Sequence, residues 1–182
     1  MEWGNIDMPE KISVLIDEST IEKRIHALAE QISEDYAGKE LFVVGILKGA
    51  SYFMCELTKR ITVPVRIDFM SVSSYGDDTK SSGVVRIGKD IDSPLEGKNV
   101  IIVEDIVDSG RTLAYLKEFL KQRGAASIEL CTLLDKPERR TIDVEVKYIG
   151  FSIPDKFVVG YGMDYAQKYR NLPYIGVISF DD

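Results

Sequence analysis

The sequence predicts an α/β protein with a mostly parallel central sheet flanked by helices. Three observations carry that expectation. The runs LFVVGI at 41–46 and VIIV inside 98–104 are continuously apolar, as strands buried on both faces must be. Helical stretches with an apolar stripe stand between such runs. Strands alternating with helices place parallel strands in one sheet. The 182 residues suit one domain over 1–182, and no linker-like stretch divides them.

The elements follow in order. Residues 1–11 read as a loose tail, and 13–16 (SVLI) as a short strand. Ser19 or Thr20 is expected to cap a helix whose Ile21, Ile25, Leu28, Ala29 and Ile32 recur at helical spacing. His26, the single histidine, falls beside that stripe and reads as a surface residue, so chemistry built on a histidine base is disfavoured. After the strand at 41–46, residues 52–60 look helical. Residues 63–70 alternate like a strand with a proline near its start. The stretch 73–83 is rich in Ser, Asp and Gly and too long for a plain turn, and 84–87 returns as a strand. A hairpin with a large mobile loop is the expectation. Strand 98–104, helix 112–122 ended by Gly124, and strands 127–134, 144–149, 157–159 and 175–179 complete the chain.

Composition narrows the function. Hydrophobic residues make up 45% and charged residues 29%, which excludes a wholly disordered or low-complexity chain. No apolar run reaches the ~18–20 residues that cross a bilayer, and the first residues lack the pattern of a signal peptide. A balance of −7 counts against nucleic acid as a partner. A small polyanion stays open, because backbone amides and a metal ion hold phosphates without net positive charge. Cys55 and Cys131 are expected to be small core residues in a reducing compartment, with no disulfide.

The segment 100–113 carries the chemistry. A hydrophobic strand runs into Glu104 and Asp105, two apolar residues follow, then Asp108 and the turn Ser109-Gly110-Arg111-Thr112 opening a helix. Ligands of parallel sheets sit outside the carboxyl ends of the strands. Successive amides, two hydroxyls and a helix start suit a phosphate monoester. The acids would repel that phosphate unless they bind hydroxyls, hold Mg²⁺ or accept a proton. A Walker A loop fails, since Asp105 and Arg111 occupy its Gly and Lys positions. The dinucleotide fingerprint is absent, and a receiver domain needs its acidic pair on the first strand.

The stretch 100–112 resembles the 5-phosphoribosyl-1-pyrophosphate (PRPP) motif of type I phosphoribosyltransferases. Leu47-Lys48-Gly49, Ser74-Tyr75-Gly76, LLDK at 133–136, FVVGYGMDY at 157–165 and YRNLP at 169–173 together resemble the hypoxanthine-guanine phosphoribosyltransferase family. The resemblance spans about residues 12–180 and implies a small hood beside the main sheet. It implies that hypoxanthine or guanine and PRPP give IMP or GMP and pyrophosphate.

On that resemblance Glu104 and Asp105 hold the ribose hydroxyls, directly or through Mg²⁺, and Asp108 exchanges a proton at purine N7. The amides of Asp108, Ser109, Gly110, Arg111 and Thr112, with the Ser109 and Thr112 hydroxyls, bind the 5′-phosphate. Lys48, Gly49 and Arg170 meet pyrophosphate, with a cis Leu47-Lys48 peptide. Lys136 donates to the 6-oxo group, Phe157 stacks on the purine and the backbone of Val158 reads its edge. Asp164 joins Glu104 and Asp105 as a Mg²⁺ ligand, and Ser74 and Tyr75 belong to a lid at 73–83. Tyr161, Tyr165 and Tyr169 are packing residues. Taken alone, Lys48 is an exposed lysine after a strand, and Phe157 is as readily a core residue. The resemblance further implies a cytoplasmic homodimer or homotetramer. A pyrimidine- or xanthine-preferring transferase, and a regulator that keeps the pocket but binds RNA or protein, are the competing readings. Lys136 and Phe157 favour purine; an intact Asp108 and the negative charge favour catalysis.

Overall fold

The computed structural model describes residues 10–74 and 85–180. A six-stranded sheet has the order β4-β3-β2-β5-β6-β7. Its strands are β2 (Leu41–Leu47), β3 (Val65–Ser74), β4 (Val85–Lys89), β5 (Asn99–Val107), β6 (Ser127–Asp135) and β7 (Tyr148–Ser152). All pairings are parallel except that of β4, which returns antiparallel on β3. The expected mostly parallel sheet and edge hairpin are both present.

Three helices cover the sheet: α1 (Glu18–Asp35) and α2 (Ser51–Thr58) on one face, α3 (Arg111–Lys121) on the other. Strand alternation sorts the core accordingly. Val43, Ile101, Val103, Cys131 and Leu133 pack with α1 and α2. Val44, Val100, Ile102 and Leu130 pack with Leu113, Leu116 and Leu120 of α3. Continuous apolar runs arise because both faces are covered. All five stripe residues of α1 are buried, and His26 is exposed, 3.3 Å from Glu30.

A second, antiparallel sheet has the order β1-β9-β8, from β1 (Glu10–Ile16), β8 (Val158–Val159) and β9 (Ile175–Phe180). It is the hood, and it brings the two ends of the described chain together.

Several boundaries differ from expectation. Residues 10 and 11 belong to β1, because Glu10 and Lys11 pair with Phe180 and Ser179. The cap of α1 is Asp17. It accepts hydrogen bonds from the Thr20 amide at 2.9 Å and from both neighbouring hydroxyls, Ser19 at 2.6 Å first, which hold its carboxyl down at about 2. β5 extends through Val107, so Glu104 and Asp105 are strand residues. The strand expected at 144–149 starts only at Tyr148, opposite Cys131. Val144 and Val146 still pack on the α3-side core, but without a ladder partner. Cys55 is exposed, contrary to the core placement; Cys131 is buried, and burial pushes its thiol up. Serines 73 and 74 end β3; the rest of the expected lid, including Tyr75, lies outside the described residues.

Candidate active site

Two cavities open at the carboxyl ends of the central strands. The first, about 90 Å³, is lined by Glu104, Ile106, Val107, Asp108, Ser109, Gly110, Thr112 and Leu113. It lies in the turn from β5 into α3. Gly110 occupies the left-handed region at φ 82°, and no side chain caps α3. A Cβ there would stand 2.8 Å from the Ile142 carbonyl, so a residue with a side chain would push the turn open. The amides of Thr141 and Ile142 each donate to the Ser109 carbonyl at 3.1 Å and fix the turn from behind. An uncapped helix start with a rigid glycine turn is an anion cradle.

The second cavity, about 450 Å³, has the size of a small-molecule site. Asp105, Ile106, Asp108, Lys136, Arg139, Asp155, Phe157, Val158, Met163 and Asp164 line it. Asp108 and Ile106 line both cavities. A further cavity of about 240 Å³ lies at the amino ends of the strands, among Lys39, Phe42, Arg66 and Lys98. That is the wrong end of the sheet for these acids.

Glu104 and Asp105, adjacent on β5, face opposite ways, as successive strand residues do. Glu104 faces the turn and Asp105 the larger cavity. Asp105 also lies against Gly49, where a Cβ would stand 1.7 Å from Asp105 Oδ2, so only glycine fits there. Burial raises both carboxyls; Asp105 reaches about 6, with Asp164 adding a repulsive push and Arg170 opposing it. Glu104 is raised well above the usual range by burial and then by the Asp105 charge.

The three acids expected to share Mg²⁺ are therefore not one cluster. Among the described residues no group of three metal-binding side chains converges. Glu104 lines the smaller cavity, on the other face of β5. Asp105 and Asp164 remain together in the larger cavity. Two carboxylates fit Mg²⁺, which keeps waters and takes substrate oxygens for its other positions.

Lys136, expected at the purine 6-position, is 8% exposed at the end of β6. Its amide donates to the Val107 carbonyl at 2.9 Å, and its ammonium is 3.4 Å from Asp155 Oδ1. Phe157 is 53% exposed and is no core residue. Its ring and that of Tyr165 stand nearly perpendicular with centroids 5.7 Å apart, and Phe157 lines the larger cavity. Val158 is buried at the start of β8, where the hood closes the cavity. Tyr161 and Tyr169 are buried and Tyr165 half-buried, in keeping with packing roles.

The Leu47-Lys48 peptide is cis. Lys48 Nζ donates to Gln167 Oε1 at 3.1 Å, across the cleft from β2. Arg170 is engaged rather than open: Nη2 lies 2.6 Å from Asp164 Oδ1, and Nη1 donates to the Gly162 carbonyl at 2.6 Å. Its Nε is buried and has no hydrogen-bond partner.

Two residues of the larger cavity escape sequence reasoning. Arg139 Nε is 3.0 Å from Asp108 Oδ1, and its Nη1 is 3.4 Å from Asp155 Oδ2. Arg139 stands in the charged run 135–140 and Asp155 in a loop, with no spacing that links them.

The Phosphoribosyl transferase domain family matches residues 14–166. The chain is 50% identical over 165 residues to the hypoxanthine-guanine phosphoribosyltransferase of Bacillus subtilis (strain 168), covering 91% of this chain and 92% of that protein. It is 50% identical over 176 residues to the bifunctional protein TilS/HprT of Listeria monocytogenes serotype 4b. That match covers 96% of this chain, which spans only 27% of that relative's length. The crystal structure of a hypoxanthine phosphoribosyltransferase from Staphylococcus aureus, in its tetragonal form, superimposes with a TM-score of 0.91 at 49% identity, over 98% of this chain and 97% of that one. A hypoxanthine-guanine phosphoribosyltransferase from Bacillus anthracis, with a HEPES molecule in its active site, gives 0.88 at 46%, over 93% of this chain and 99% of that one. The chain belongs to the hypoxanthine-guanine phosphoribosyltransferases of the phosphoribosyl transferase domain family.

Proposed function

We propose that this chain transfers the phosphoribosyl group of PRPP to hypoxanthine or guanine, giving IMP or GMP and pyrophosphate. The observation that carries this reading is the position of Asp108, on the seam between a phosphate-sized turn and a purine-sized cavity. A ribose 5-phosphate anchored in the turn directs its anomeric carbon toward a base in the neighbouring cavity.

The amides of 109–112 and the Ser109 and Thr112 hydroxyls bind the 5′-phosphate. Glu104, beside the turn, and Asp105, across the strand, accept hydrogen bonds from ribose hydroxyls. Lys48, at the amide beside Gly49, and Arg170 bind pyrophosphate. Lys136 donates to the 6-oxo oxygen and leaves a 6-amino group facing a donor, which discriminates against adenine. Phe157 stacks on the purine face, and the Val158 backbone reads its edge. As the ring nitrogen bonds to the anomeric carbon and the bond to pyrophosphate breaks, the N7 proton passes to Asp108. Asp105 and Asp164 would hold Mg²⁺, which supplies charge neutralisation of the pyrophosphate when bound.

The same reading makes residues 1–182 one catalytic domain, active in the cytoplasm and assembled as a homodimer or homotetramer. No helix among the described residues is long and apolar enough to cross a membrane. Turnover with PRPP and each of hypoxanthine, guanine, xanthine, adenine and uracil tests it. Nucleotide from the 6-oxopurines and none from adenine or uracil is the expected result. Preference for uracil, or no turnover of any base, contradicts it.

A further inference from the structure

A chain of ion pairs bridges the larger cavity. Asp108 is held by Arg139, Arg139 also reaches Asp155, and Asp155 holds Lys136. The two groups expected to touch the base are thus both occupied by other side chains. Arg139 stands on the single 3-10 turn Pro137–Arg139 and Asp155 on the loop before β8, so both lie in connections between strands. Both side chains are about half exposed, which leaves them room to move.

We propose that Arg139 is a gate on Asp108 and that Asp155 is the site to which it withdraws. The inference rests on the functional reading above, in which the base meets Asp108 and Lys136. A 6-oxopurine draws Lys136 from Asp155 with its oxo group and Asp108 from Arg139 with its N7 proton. The two groups left behind, Arg139 and Asp155, are opposite in charge and already within 3.4 Å. They complete their own pair, while Asp108 and Lys136 turn to the N7 proton and the oxo oxygen of the base. A 6-amino base cannot draw Lys136 away, and Asp155 then stays engaged. Arg139 acts here as a positioning and specificity residue; it does no chemistry itself.

Half-exposed ion pairs are modest, so the gate should change base binding about two- to fivefold. Asp155→Asn frees Lys136 for the base but leaves Arg139 no place to withdraw, so the test is read from the second substitution. Adding Arg139→Gln to that variant should lower the hypoxanthine KM by about two- to fivefold, with the KM for PRPP held. A merely structural role for Asp155 gives no such fall. Salt offers a second measurement that needs no substitution. Hypoxanthine is uncharged, so at saturating PRPP its KM should fall as added KCl screens the internal pairs. If Arg139→Gln raises the hypoxanthine KM in the Asp155→Asn background, or the unaltered chain shows a KM that climbs with KCl, the gate is wrong. Failure of the unaltered chain to turn over hypoxanthine or guanine would instead remove the functional reading beneath it.

Discussion

The two cavities at the top of the sheet are built from different materials. The smaller one is backbone: one strand, one glycine turn and one uncapped helix start, within ten consecutive residues of chain. The larger one is side chains, gathered from β5, the end of β6, the loop before β8 and the turn after it. A backbone site is rigid before ligand arrives, because its geometry is the fold's own. A side-chain site keeps its charges paired with each other until a ligand takes them. The first suits an invariant phosphate, and the second suits a base that must be chosen.

The largest effect that could break this contrast concerns metal. Asp105 and Asp164 line the side-chain cavity, and the polyanionic substrate of the proposed reaction would be repelled there without a cation. Exhaustive chelation should abolish turnover, with Mg²⁺ restoring it and Mn²⁺ restoring it in part. Full activity in chelator would mean that the protein's cations suffice.

Asp105 sharpens the contrast on the stability side. Its carboxyl rises from 3.8 to about 6, chiefly through burial. The folded state therefore holds the proton more tightly than the unfolded chain. Stability in chelator should fall as pH rises from about 4 to about 6 and then level off, by up to ~3 kcal/mol. Asp105→Asn lacks that titration. The variant should gain on the unaltered chain across this window in urea melts. Parallel pH profiles for the two chains would show that the Asp105 carboxyl carries no such strain.

A smaller effect separates the purine end from the phosphate end. On the proposed function, Lys136→Ala removes the donor to the 6-oxo group, a charge-assisted hydrogen bond of ~1.5–3 kcal/mol. The loss should fall on the kinetics of hypoxanthine and guanine, with the KM for PRPP held. Unchanged base kinetics would take Lys136 out of the site.

How far the sequence reveals these features depends on which kind of site they belong to. The phosphate turn was legible because its parts are contiguous and glycine at 110 is the residue its φ demands. The sheet was legible through unbroken apolar runs, and α1 through the spacing of its stripe. The cap of α1 was not, because Asp17, Ser19 and Thr20 are all good caps, and only the folded chain shows both hydroxyls donating to Asp17. The strand expected at 144–149 was only half right, because Val144 and Val146 are half-buried against the α3-side core and such packing does not require a neighbouring strand. The opposite outlook of Glu104 and Asp105 follows from β5 running on to Val107, which two charges after an apolar run conceal. Arg139 and Asp155 were invisible, since topology alone brings them to Asp108 and Lys136.

Asp108 belongs to both cavities, so it is the residue on which the account turns. The decisive measurement is the steady-state kinetics of Asp108→Asn with hypoxanthine, together with direct titration of PRPP. Asparagine keeps the shape but cannot accept the N7 proton. A fall in kcat of ~10²–10⁴-fold is predicted, with PRPP affinity nearly intact because the amides of the turn remain. Loss of PRPP binding with kcat preserved at saturation would make Asp108 a structural support and contradict the account.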